Sequence, residues 1–167
     1  MYKLIFIMLM SSITTCQSIE EGWKGIKPLR ADKDSVDKKL ENPGSDSNGA
    51  FYRTDEAFVR VYYSTEPCME SKLGFGDYDV PKNTVLQYSV SLNKLIIKLS
   101  DLKFARKNYY RDTSGDVKNS VFYYPADGSI IISVHIDPEG TEYVSGIDYK
   151  ARKEDAEKFK CADTQAK

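Results

Sequence analysis

Histidine is nearly missing from this chain, with His135 the one copy, and cysteine is scarce at three. A zinc site needs close-set Cys or His ligands. Cys16, Cys68 and Cys161 lie far apart along the chain, so no metal and no other cofactor is expected. Three signatures of chemistry are lacking as well: a Walker phosphate loop, a Gly-x-Ser-x-Gly nucleophile turn and a zinc-protease helix. The formal net charge is −1, without the basic surplus of a nucleic-acid binder or a polybasic membrane-surface protein. The apolar run over residues 4–10 falls far short of the roughly 20 residues that cross a bilayer.

That short run has a different use. Lys3 precedes it and a small polar stretch, residues 11–18, follows, which is the order of a secretory signal. Residues 1–18 are read as a signal peptide and residues 19–167 as one exported domain, periplasmic, envelope-bound or secreted. Ordinary cleavage after Ser18 uses Cys16 and Ser18 as the small flanking residues. The alternative is a lipobox, in which Cys16 is lipidated and anchors the protein to a membrane, although Thr15 stands where such sites carry Gly, Ala or Ser. A buried N-terminal helix is a third reading of the same residues. Once Cys16 leaves, Cys68 and Cys161 remain, and an even pair in an oxidising compartment is most simply a disulfide.

Twelve tyrosines and seven phenylalanines point to β-rich structure. A helix is expected from Asp32, a good N-cap, with Val36 and Leu40 one turn apart and Asn42-Pro43-Gly44 as its stop. Residues 45–49 read as loop. Strands are expected over 50–53 and 58–63, as a hairpin, then over 84–92. An edge strand follows over 108–111, then strands over 121–124, 130–136 and 143–149. Asp127-Gly128 is a hairpin turn signal, and Lys153 opens a short polar helix to residue 161 with Ala156 and Phe159 facing inward. The irregular stretch 66–82 needs a tie, which Cys68 offers. The fold class is therefore α+β, mainly antiparallel sheet with short helices near both ends of the domain. A faint architectural echo links Phe51-Tyr52 with Phe122-Tyr123, as though two halves shared one plan.

Residues 22–43 carry a resemblance. Gly22, Trp23, Gly25, Ile26, Pro28, Leu29, Val36, Leu40 and Pro43 match a pattern of small uncharacterised exported bacterial proteins: a Gly-Trp, a Gly-Ile-x-Pro-Leu block and a Thr-capped helix ending in Leu-Gly-x-Pro. Asp32 replaces the capping Thr and Glu41 the terminal Gly. Pro81, Thr84 and Val85, the block Leu99-Ser100-Asp101-Leu102, and the cysteines also fit. The helix–turn–paired-strand layout looks like the SmpA/BamE-like lipoprotein module of the outer-membrane assembly machinery, and like the tandem layout of β-lactamase-inhibitor proteins. That resemblance implies a protein-binding module rather than an enzyme.

Candidate residues for function are few. His135, Ser133 and Asp137 fall on one side of a strand, and alternation makes them its solvent face before it makes them a triad. Asp77, Asp79, Asp46 and Asn48 resemble fragments of calcium loops without the required spacing, and read as turn formers. Trp23 reads first as a core anchor and second as a binding residue. In the pairs Tyr62-Tyr63, Tyr109-Tyr110 and Tyr123-Tyr124 one ring must point outward, so Trp23, Tyr63, Tyr110 and Tyr124 form the candidate interaction surface. The expected function is a non-enzymatic interaction module with a protein partner and no nucleic acid. The alternative is a hydrolase using dispersed carboxylates.

Overall fold

The computed structural model describes residues 18–41, 43–46, 49–68, 76–94, 97–115 and 118–162. Cys16 and the rest of residues 1–17 lie outside them. Within them the alternating segments form β1 (Pro43–Asp46), β2 (Gly49–Arg53), β3 (Ala57–Tyr63), β4 (Val85–Leu92), β5 (Tyr109–Asp112), β6 (Ser120–Pro125), β7 (Ile130–Ile136) and β8 (Glu142–Tyr149). All eight lie in one antiparallel sheet of order 1-2-3-4-8-7-6-5. Each half is a meander of four strands. The halves meet at a single seam, where Tyr88, Ser89, Val90 and Ser91 of β4 face Tyr149, Asp148, Ile147 and Gly146 of β8. Two helices, α1 (Lys33–Leu40) and α2 (Lys153–Lys158), flank the sheet, so the α+β expectation holds as a mostly antiparallel sheet with short helices.

Strand phase places the core. Ala50 and Tyr52, Ala57, Val59 and Val61, Tyr88 and Val90, Ile147 and Tyr149, Ile130, Ile132 and Val134, and Val121 and Tyr123 all face one side and are buried. Ile19, Ile26, Val36, Leu40 and Leu99 cover that side in the same cluster. Burying Val36 and Leu40 contributes about 4 kcal/mol, which is what holds an eight-residue helix too short to persist alone.

α1 begins as expected. The Asp32 carboxylate accepts from the Ser35 N–H at 2.8 Å. Asp34 lies in the first turn and Lys38 and Lys39 in the last, each favoured by the helix dipole. The helix ends at Glu41, whose φ of 53° and ψ of 163° suit glycine. Glu41→Gly is expected to raise stability by about 1 kcal/mol, read from the urea midpoint at unchanged m-value.

Two local expectations need correction. The stretch from Pro43 is not merely a stop followed by loop: Pro43–Asp46 continues as edge strand β1 against β2. Pro is tolerated at the start of an edge strand, and Gly44 leaves room for the Phe51 ring, 2.3 Å from where a Cβ would sit. α2 stops at Lys158 rather than continuing to residue 161. Beyond it the chain extends instead, with Asp79 N–H donating to Phe159 O at 2.7 Å and Tyr78 bridging Lys160.

The Cys68–Cys161 disulfide fastens this region, its Cα atoms 5.6 Å apart. Beside it lies a second small cluster of Leu29, Val80 and Leu86, against which Tyr78, Ala151 and Phe159 pack. Ala156 is half-buried.

The Gly-Trp motif has a physical cause. Gly22 adopts φ 82°, and a Cβ there would sit 2.0 Å from Ile26 O. That tight turn delivers the Trp23 N–H to the Tyr88 hydroxyl at 2.9 Å, while the hydroxyl donates to Ile26 O at 2.7 Å.

Candidate interaction surface

The opposite side of the sheet is built from the alternate residues of the same strands. Register lines up a row across it: Arg53, Phe58, Ser91, Gly146, Ser133, Phe122 and Asp112. Small residues occupy the middle and phenylalanines stand on either side. Phe58 and Phe122 are four strand spacings apart, roughly 19 Å, so the row is a shallow trough with aromatic walls. A second row runs Gly44, Phe51, Arg60, Ser89, Asp148 and Ile131. Ser89 Oγ donates to the Asp148 carboxylate across the seam. Phe51 stacks on Phe58 at 5.8 Å, the Arg60 guanidinium lies over the Tyr62 ring at 5.8 Å, and Tyr110 meets Tyr124 at 6.0 Å. None of the buried hydrophobic residues belongs to this face among the described residues. It is half-exposed and carries aromatic rings and Arg60, residue types enriched at protein contacts, beside serines, which are not.

The candidate residues from sequence separate onto different surfaces. Tyr110 and Tyr124 lie on the open face, paired across β5 and β6. Tyr63 does not, and this expectation is corrected. Val59 and Val61 fix the phase of β3, so Tyr63 turns to the covered side and Tyr62 takes the open one. Trp23 packs against the core cluster as an anchor, and its indole N–H is buried without a hydrogen-bond partner among the described residues.

The covered side holds a matched pair of polar clusters at its two ends. In the first half, Tyr52 donates its hydroxyl proton to Asp37 at 2.6 Å and so accepts from Tyr63 at 2.8 Å, while Lys33 donates to Asp37 at 2.6 Å. In the second, Tyr123 donates to Glu142 at 2.6 Å and accepts from Arg106 at 2.5 Å and Arg111 at 3.1 Å. Arg106 also reaches Glu142 at 2.9 Å. Burial pushes both carboxyls up, but their hydrogen bonds and cations outweigh it and hold Asp37 and Glu142 below the usual carboxylate range. A carboxyl lowered on folding stabilises the fold above its unfolded pKa of about 4, and that contribution disappears as pH falls through the lower folded value. The Asp37→Asn, Glu142→Gln double variant is therefore expected to lose stability at neutral pH. Between roughly pH 4 and pH 2 its stability should fall less steeply than that of the native chain, as followed by urea titration across pH.

Ser133 and His135 lie on the half-exposed open face. Asp137 instead closes the turn after β7, accepting from the N–H groups of Glu139 at 3.0 Å and Thr141 at 2.8 Å. Among the described residues no three His, Cys, Asp or Glu side chains gather as a metal site would need, and Asn48 and the Asp46 side chain fall outside them. A polar cavity of about 240 Å³ lies between the N-terminal segment and α2, lined by Glu20, Lys27, Arg30, Arg152, Glu154 and Asp155 among others. Its Asp155 carboxylate is held by Arg30 at 2.5 Å, so that acid is committed to an ion pair.

The geometry thus defines a class by architecture: one eight-stranded antiparallel sheet, covered on one side and open on the other. No family model matches the chain, and no curated protein or solved structure matches it.

Proposed function

We propose that this chain is an exported, non-enzymatic module that holds a protein partner against the open face of its sheet. The observation that carries the reading is the trough itself, with Ser91, Gly146 and Ser133 as floor and Phe58 and Phe122 as walls. A disulfide fits an oxidising compartment outside the cytoplasm. We also read the two meanders as tandem copies of one plan, in the manner of β-lactamase-inhibitor-like proteins. In support, Phe51-Tyr52 and Phe122-Tyr123 occupy the second strand of each meander in the same phase, ring out and hydroxyl in.

The test places a photocrosslinking benzophenone at Tyr124, on the trough's rim, and at Lys153, remote from it. Exposed to native envelope, the Tyr124 probe should trap one discrete protein that the Lys153 probe does not, and Phe58→Ala with Phe122→Ala should abolish the product while thermal stability is retained. Identical products from both positions, or turnover in a general hydrolase screen, would overturn the reading. The mature mass checks the address: a free terminus at Ile19 is expected, whereas an acylated Cys16 would make the module a membrane-anchored one.

A further inference from the structure

The two ends of the sheet are not equivalent. β1 is an edge made of Pro43, Gly44, Ser45 and Asp46, poor in strand-forming residues and short of one backbone donor. β5 at the other end reads Tyr109, Tyr110, Arg111 and Asp112, with no proline, glycine or bulge. Its inner edge pairs with β6. The Tyr109 N–H donates back to Arg106 O, and beyond that no backbone partner other than β6 engages Tyr110–Asp112 among the described residues. Tyr110 is 61% exposed, the one large hydrophobic residue so exposed among those described.

Charge gathers at the same edge. Arg106, Lys107 and Arg111 are all exposed, and the two guanidinium groups share the single carboxylate of Glu142. No carboxylate pairs with Lys107 among the described residues, and with Asp112 of the strand counted beside Glu142, the three cations of the edge still exceed its acids by one on a chain whose net charge is −1. Alternation sorts the chemistry by side: Tyr110 stands on the open face beside Tyr124, and Arg111 on the covered side beside Tyr123.

We propose that β5 accepts an extended segment of a partner protein as a ninth strand, and that this segment alternates acidic and apolar residues. An open strand edge presents donors and acceptors in turn, which a peptide backbone satisfies and a polyanion, offering acceptors alone, does not. The cross-strand rule then places a carboxylate beside Arg111 and an apolar side chain beside Tyr110. This goes beyond the trough, because it uses the sheet's edge rather than its face. Loss of either binding mode leaves the other standing.

The experiment measures fluorescence anisotropy of a capped, labelled peptide of alternating Glu and Val against the full, oxidised chain. Three further probes run beside it: the same peptide N-methylated at alternate amides, its Lys–Val counterpart, and a short single-stranded DNA. The Glu–Val peptide is expected to bind, with N-methylation weakening it on the order of tenfold through lost backbone hydrogen bonds. Lys107→Glu and Tyr110→Ala, both remote from the core, are expected to weaken it severalfold each, and the Lys–Val peptide should not bind. Phe58→Ala on the far side of the trough should leave this affinity unchanged. Equal binding of the N-methylated peptide, or equal binding of DNA, would reduce the edge to a generic anion surface and overturn the proposal. So would absence of binding by the Glu–Val peptide, or self-association of the chain that Lys107→Glu abolishes, which would give the edge to a second copy.

Discussion

Replacing Cys68 and Cys161 by serine is expected to lower unfolding free energy by about 4 kcal/mol, the upper part of the usual range for native disulfides. The two cysteines are 93 positions apart, so the bond constrains an unusually large part of the unfolded chain. On the folded side the region it fastens has little apolar burial and is held otherwise by a few polar ties. α2 has no buried residue of its own, and among the described residues the cluster beside it has only Leu29, Val80 and Leu86 buried. A fall in melting temperature of roughly 10 °C should follow. Hydrogen exchange should locate the loosening at residues 76–80 and 151–162, with β2, β3 and β7 still protected. Intact mass under non-reducing conditions with two alkylatable thiols would remove the basis of this expectation.

Tyr88→Phe is the second large effect, about 2–3 kcal/mol for the loss of one oxygen atom. Its ring is fully buried, and its hydroxyl is, among the described residues, the only group joining the Trp23 N–H to the Ile26 carbonyl. Phenylalanine keeps the packing, including the stack on Tyr149 at 4.6 Å, and orphans two backbone groups. Tyr149→Phe is the control, because among the described residues no hydrogen bond of its hydroxyl supports a second element; it should cost under about 1 kcal/mol. Denaturant midpoints of the two variants check the difference. Equal losses would mean that ring packing, not the hydroxyl, anchors the N-terminal segment.

Most strands were legible because each carries its own alternation and is bounded by turn residues. β7 at Ile130–Ile136 and the α1 cap at Asp32 follow from local pattern alone. β1 was not legible, since Pro43 and Gly44 have no strand preference and extend only because β2 is there to pair with. The orientation of Tyr63 was present in the sequence: Val59 and Val61 set odd positions inward, and the same count sends Tyr62 out. The trough is a different matter. Phe58, Ser91, Gly146, Ser133 and Phe122 come from five strands, and only register brings them into one line. Nothing in any single strand announces its neighbour across the seam.

That seam also sets the tempo of folding. Every other ladder joins strands adjacent in sequence, mostly through short turns and once, between β3 and β4, through the long stretch after Tyr63, whereas Ser89 and Asp148 must find each other across 59 positions. Long closures are the slow ones. The locally closed hairpins are thus expected to form early and the β4–β8 pairing late. Cys68 lies after β3 and Cys161 after β8, one on each side of that late junction. A chain unfolded with its bond intact keeps the two meanders tethered near the junction and has a shorter search to make. The disulfide is thus expected to affect how quickly the sheet becomes one sheet, as well as how firmly it stays so.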